Sequence, residues 1–221
     1  CDWSSDVCSS DLNGQGGQVV VWSNVNATDS VTLASGTIWA KGGINGGDGG
    51  RIETSGHTLE LSGVQIDTTS TQGTAGLWLI DPTDVTVDAT TASTIASNLG
   101  SANVQVSADR DIVISANITT NTNNNLLFTA GGSINMTGGY KIWLNTSNST
   151  TYTATTATGS LYMGGVDVTT IDSTNWNTTC VTTCYAQASA TLPYAAVRIG
   201  VASAVDIRVG GDVVIAGRNT Q

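Results

Sequence analysis

The chain predicts an all-β fold, a right-handed parallel β-helix, and three observations carry that expectation. First, NVQVSADRDIVISANITTNTN, starting at Asn103, lies over NLLFTAGGSINMTGGYKIWLN, starting at Asn125. Val104 then meets Leu126, Val106 meets Phe128, Ile112 meets Ile134 and Ile114 meets Met136, all at an offset of 22 residues. Apolar pairs at i and i+2, split by a turn and repeated one coil later, follow the period of a strand and not of a helix. Stacking such coils buries what one coil alone would expose. Second, 35 Thr and 26 Gly in 221 residues, with 11% charged, favour strands and turns over helical bundles. Third, the stretch 46–87 consists of short apolar-alternating segments punctuated by turn residues, without helix start or stop signals. Parallel crossovers are right-handed in nearly all proteins, which sets the expected hand.

Taken in order, 13–50 alternates glycine-rich turns with strand-like 19–22 (VVVW), 31–33 and 37–40. Further strands are expected at 51–54, 58–61, 64–66, 77–80 and 85–87. Asp81 and Pro82 start a turn, and Thr83 and Asp84 lead into the next strand. The one segment with helical character is 91–99 (TASTIASNL), and it is short. Coils of about 22 residues follow. VDIRVGGDVVIAG, from Val205, repeats the pattern again, with Asp212, Val213 and Ile215 matched to Asp111, Ile112 and Ile114. Two segments break the rhythm and are expected as insertions. The span 145–159, rich in Thr, Ser and Asn, reads as a loop or a polar outer strand; 170–192 carries Trp176 and a CVTTC pair.

GGQVVVWSNVNATDSVTLASGTIWAKGG from Gly16, GGDGGRIETSG from Gly46, VQIDTTSTQGTAG from Val64 and LWLIDPTDVTV from Leu77 form a connected set. They resemble the segment of filamentous-haemagglutinin-like exoproteins just beyond their secretion domain. These are the large adhesins and haemolysins of bacterial two-partner secretion. The resemblance implies a secreted rod on the surface of a Gram-negative-type bacterium, structural and adhesive, with no catalytic role and no cofactor. Its partners would be glycans or proteins of a host or neighbouring cell, and an outer-membrane transporter that engages a region absent here. An alternative within the same architecture is the stalk of a haemolysin or contact-dependent toxin. A β-helical polysaccharide lyase or hydrolase is a third reading. Residues 1–12 (CDWSSDVCSSDL) resemble a translated sequencing-library adapter and are set apart as a non-native leader, leaving 13–221 as a β-helix fragment. A secreted protein needs a signal peptide, and none is present in the sequence, so the native start is expected to be missing.

The formal charge of −10 excludes a basic nucleic-acid or anionic-membrane surface. No apolar run approaches the ~20 residues of a membrane span. Among the charged residues, Asp109 and Asp111 with Arg110 between them, and the set Asp81, Asp84 and Asp88, are the nearest approach to a converging catalytic site. The coil aligned with Asp109 and Asp111 carries Gly131 and Ser133, so no acidic ladder forms and a turn role with Arg110 as shield is expected. GGINGGDGG, from Gly42, lacks the aspartate that a calcium-binding nonapeptide repeat requires, because Arg51 stands in its place. It reads as a flexible turn. His57 reads as an exposed loop residue. With one histidine and few cysteines, neither a metal site nor a nucleophile–base pair can be assembled. The glycine-rich turns match no nucleotide-binding pattern. Cys180 and Cys184 could hint at redox or metal chemistry in a cytosolic protein; the secreted resemblance favours a small disulfide that clamps a loop. Sequons occur at Asn26, Asn117, Asn135, Asn145, Asn148 and Asn177, with Asn145 and Asn148 the most accessible candidate glycan acceptors. Trp39 and Trp78 lie between apolar neighbours; if those neighbours face inward, the indoles point out, where they could stack on sugars.

Overall fold

The computed structural model describes residues 12–136 and 140–144. Beyond them it describes only the backbone of the strands Tyr152–Thr156, Leu161–Met163, Val166–Asp167, Cys184–Gln187, Ala195–Ile199, Val205–Val209 and Val213–Ala216. The chain is a parallel β-helix. Its first sheet has seven strands, in the order Gln18–Trp22, Arg51–Gly56, Leu77–Pro82, Asn103–Ala108, Leu126–Ala130, Tyr152–Thr156 and Val213–Ala216. Every neighbouring pair in it is parallel. A second face pairs Val31–Leu33 with Thr58–Glu60 and then, as a separate sheet, runs from Val85–Val87 through Ile112–Ile114 and Ile134–Met136 to Leu161–Met163. The third face pairs Gly36–Trp39 with Val64–Asp67; further on, it joins Ile118–Thr120, Lys141–Leu144 and Val205–Val209. Strands on one face are separated by about 4.8 Å, the backbone hydrogen-bonding distance.

The registers expected from the repeat are present: Val104 lies beside Leu126, Val106 beside Phe128 and Ile112 beside Ile134. The spacing of 22 holds for that coil alone. Counting between register partners gives 33 residues from Val19 to Ile52, 26 from Ile52 to Trp78 and 26 from Trp78 to Val104. The first two coils differ from 22 in their turns, which the strand period does not constrain, and the coil from Trp78 to Val104 differs because the helix Ala89–Asn98 takes the place of a strand. Inside, each inward position becomes a column. Ile52, Trp78, Val104 and Leu126 form one, and Thr54, Ile80, Val106 and Phe128 another. All eight side chains are buried. At about 1.5–3 kcal/mol for each large apolar side chain, these columns supply most of the driving force. Thr54 is the polar member. Its hydroxyl accepts the indole N–H of Trp78 at 3.1 Å and donates to the Leu79 carbonyl at 3.4 Å, so a polar atom sits in the core without loss.

The expected helix forms at Ala89–Asn98. Asp88 caps it, its carboxylate accepting the Thr91 N–H at 2.8 Å. Ala92 and Ile95 are buried, and the other face carries Thr90, Ser93 and Ser97. The helix occupies the third face between Val64–Asp67 and Ile118–Thr120, where a strand would otherwise run. One expectation is corrected. Val213–Ala216 pairs with Tyr152–Thr156 in the first sheet, so Val213 and Ile215 are not the counterparts of Ile112 and Ile114, which belong to the second face. Within the span expected as an insertion at 145–159, Tyr152–Thr156 pairs with Leu126–Ala130; the rest of that span lies outside the described residues. The span 170–192 also lies outside them, except for the strand Cys184–Gln187, which pairs antiparallel with Ala195–Ile199.

Candidate functional site

The outward positions of the first coil differ from those above them. Val20, Trp22, Val31, Leu33 and Trp39 point out from all three faces, and each is exposed. Their register partners one coil on are Glu53, Ser55, Thr58, Glu60 and Asp67, all polar or charged. The result is an apolar belt with two tryptophans, Trp22 at 66% and Trp39 at 68% exposure, on a rod whose next coil is hydrophilic. Trp39 points out as expected. Trp78 does not: its indole is fully buried between Ile52 and Val104. Trp22 was not singled out from the sequence, although its parity with Val20 in QVVVW carried the signal.

Three of the acids at the turns, Asp84, Asp111 and Asp48, are internally committed. Asp84 forms an ion pair with Arg110 and also accepts the Asp111 N–H at 3.1 Å. Asp111 in turn accepts the Ser133 N–H at 2.7 Å. Each carboxylate thus reaches one coil onward and satisfies a backbone donor at the equivalent turn. The GGINGGDGG corner works the same way, with Asp48 accepting the Thr74 N–H at 2.7 Å and its hydroxyl at 2.9 Å. Ser70 donates to the Gly47 carbonyl at 2.5 Å. The expected flexible turn is therefore pinned to the corner above it. Asn103 does the equivalent with an amide, accepting the Asn125 N–H at 2.9 Å. His57 is half-buried, in contrast to the exposed position expected, because its ring fits between two coils. Its Nδ1 lies 3.1 Å from the Val25 carbonyl and 3.4 Å from the Thr83 hydroxyl.

These bonds set the titration behaviour. The Thr74 N–H and hydroxyl hold the Asp48 carboxyl below the ordinary range, and the Thr91 N–H does the same for Asp88. Burial pushes Asp67 and Asp84 up, but bonds from Lys41 and Thr69, and from Arg110 and Asp111, outweigh it and leave both lowered. Asp81 is raised, mainly by burial and further by Asp109 and Glu53, against a hydrogen bond from Ser107. A carboxyl with a lowered folded value contributes stability above the unfolded value, about 4, and loses it as pH falls through the folded one. Asp81 has the opposite sign: its contribution is present below the unfolded value and is lost as pH rises through the raised one. Asp81→Asn is therefore expected to raise the melting temperature at pH 7 and leave it unchanged at pH 3, while the unmodified protein melts lower at pH 3 than at pH 7. Thermal melts of both at the two pH values check the pair of signs.

Two grooves flank the helix. One, of about 500 Å³, lies against Ser62, Val64 and Gln65; the other, of about 600 Å³, lies against Ala116, Thr119 and Tyr140. Hydroxyl, amide and small apolar groups line both, with no charged side chain in either lining. No group of three or more His, Cys, Asp or Glu able to hold a metal ion occurs among the described residues. Among those residues, too, no helix is long and apolar enough to cross a membrane. Of the sequons, Asn26 and Asn117 are exposed and Asn135 is half-buried in a strand. Asn145, Asn148 and Asn177 lie outside the described residues, as do Cys180 and the side chain of Cys184, so the glycan-acceptor and disulfide expectations fall there. What the fold defines is a repeat protein of the parallel β-helix class. No family model, no curated protein and no solved structure matches the chain.

Proposed function

We propose that this chain is a structural and adhesive rod segment of a secreted bacterial surface exoprotein of the filamentous-haemagglutinin-like type, and that it is not an enzyme. The observation that carries the proposal is the outward apolar belt with Trp22 and Trp39 on a hydrophilic β-helix. Exposed aromatic side chains on a rigid frame suit shallow contact with glycans or proteins of another cell, and repetition along a rod turns weak contacts into avidity. The commitment of Asp84, Asp111 and Asp48 to backbone donors supports the non-catalytic reading, since an acid–base pair needs carboxylates free to exchange protons with a substrate.

The test is binding of the purified chain to host-type cells and to an array of immobilised glycans. Trp22→Ala with Trp39→Ala is expected to weaken binding by about tenfold or more, the scale of losing central aromatic anchors. Unchanged binding by the double variant would remove the belt from the argument. Cleavage of an acidic or neutral polysaccharide by the unmodified chain would overturn the non-catalytic reading. For the exoprotein assignment, the reading frame upstream is expected to encode a signal peptide and secretion domain, with a transporter gene alongside.

A further inference from the structure

Two of the three faces of the rod are interrupted at the same level. Between the second and third coils the first sheet runs on without a break, Arg51–Gly56 pairing with Leu77–Pro82 through six residue pairs. On the second face Thr58–Glu60 belongs to one sheet and Val85–Val87 to another, so no backbone ladder crosses there. On the third face the helix Ala89–Asn98 stands where the next strand would be, and Val64–Asp67 has a strand neighbour on one side alone.

The open edge of Val64–Asp67 is nevertheless satisfied, and one side chain does half of the work. Asn98, buried at the end of the helix, accepts the Ile66 N–H through Oδ1 at 2.6 Å. It donates from Nδ2 to the Val64 carbonyl at 3.1 Å. Ser101 completes the edge, its hydroxyl donating to the Ile66 carbonyl and its own carbonyl accepting the Thr68 N–H at 3.2 Å. A primary amide carries a donor and an acceptor at the spacing of a peptide group, so Asn98 reproduces one rung of a parallel ladder. A backbone rung cannot come off without unfolding its strand. A side-chain rung releases by a rotation about χ1.

We infer that the boundary between the second and third coils is a one-sided joint, with the first sheet as its hinge and Asn98 as its latch. When Asn98 lets go, the edge of Val64–Asp67 keeps only its bonds to Ser101, and once these follow, the second and third faces of the first two coils part from the helix, while the first sheet keeps them attached. The rod can therefore open or bend at this level without losing the coils above, and this property is independent of what the rod binds.

Hydrogen exchange read by mass spectrometry on the full chain tests it. In the unmodified protein, peptides over 58–69 are expected to exchange through a local opening, at lower denaturant than peptides over 77–82 and 104–114. Asn98→Ala is expected to speed exchange over 58–69 by about tenfold or more and to leave 104–114 unchanged, because the Ile66 N–H loses its acceptor. Asn103→Ala removes an amide that bonds along the first sheet, to Gly76 and Asn125, and is expected to leave 58–69 as it was. Equal exchange on both sides of the level in the unmodified chain would overturn the inference. So would an Asn98→Ala protein that is loosened uniformly or fails to fold, since a latch whose loss dissolves every coil is not local.

Discussion

Trp78→Ala is expected to lower stability by about 3–5 kcal/mol, the cost of deleting a fully buried large aromatic side chain whose cavity cannot collapse. The indole fills the inward position between Ile52 below and Val104 above, and it has no exposed surface. In a solenoid each inward side chain touches the layers above and below, so the void opens in both directions. A second loss accompanies it. Thr54 is buried and accepts the indole N–H, and in the alanine variant that lone pair faces an empty space. Trp78→Phe separates the two contributions, because it refills most of the volume and removes the donor alone; about 1–2 kcal/mol is expected. Trp39→Ala, at an outward position, is expected to change stability by about 0.5 kcal/mol or less. Urea titrations followed by far-ultraviolet circular dichroism rank the three. A Trp78→Ala midpoint indistinguishable from that of Trp39→Ala would mean that the column through Ile52, Trp78 and Val104 is not what holds these coils together.

The orientation of Trp78 also shows how far the sequence could be read. In RIET the parity is unambiguous, since Arg51 and Glu53 must face water and Ile52 must therefore face in. In LWLI all four residues are apolar, so alternation within the segment carries no parity at all. Treating Leu77 and Leu79 as inward set Trp78 outward; only the register that places Ile52 beside Trp78 decides it. The coil from Val104 to Leu126 was legible because its two copies have turns of equal length. The earlier coils were not, because extra residues around 24–30 and 42–50 in the first, the corner 68–76 in the second and the helix Ala89–Asn98 in the third lengthen them, and nothing in a strand's period counts them. The match of Val213 to Ile112 failed for the same reason: GDVVI looks like RDIVI locally, but sheet membership depends on how many turns have gone before. Asn98 could not be seen at all. A polar residue near the end of a short Ser- and Thr-rich helix reads as solvent-facing, and its partners, Val64 and Ile66, lie 34 and 32 residues away.

Gly49→Ala is expected to cost more than any other single methyl addition named here, enough to prevent the second coil from closing on the third. The backbone conformation is not the reason, because positive φ among the described residues is confined to Gly36, Gly47 and Gly63. The reason is the space beside it. A Cβ at Gly49 would lie 1.8 Å from the Thr68 carbonyl oxygen and 2.4 Å from the Gly76 nitrogen. Both are main-chain atoms, fixed by the hydrogen bond from Gly76 N to the Thr68 carbonyl at 2.8 Å, so neither can turn aside. The methyl group can enter only by breaking that bond and separating the corners of adjacent coils. The expected loss is above about 4 kcal/mol, the range reserved for overpacking of main chain and broken buried bonds. Gly17→Ala is the matched control. It too sits in a GG pair, but nothing lies within 4 Å of its Cβ position and its φ is ordinary. There a methyl restricts the unfolded chain without obstructing the folded one, and a gain of about 0.4–1 kcal/mol is expected. Soluble yield and melting temperature of the two variants, prepared side by side, decide the matter. A Gly49→Ala protein that melts close to Gly17→Ala would show that the corners have slack, and that the stacking of their main chains does not set how closely the coils approach.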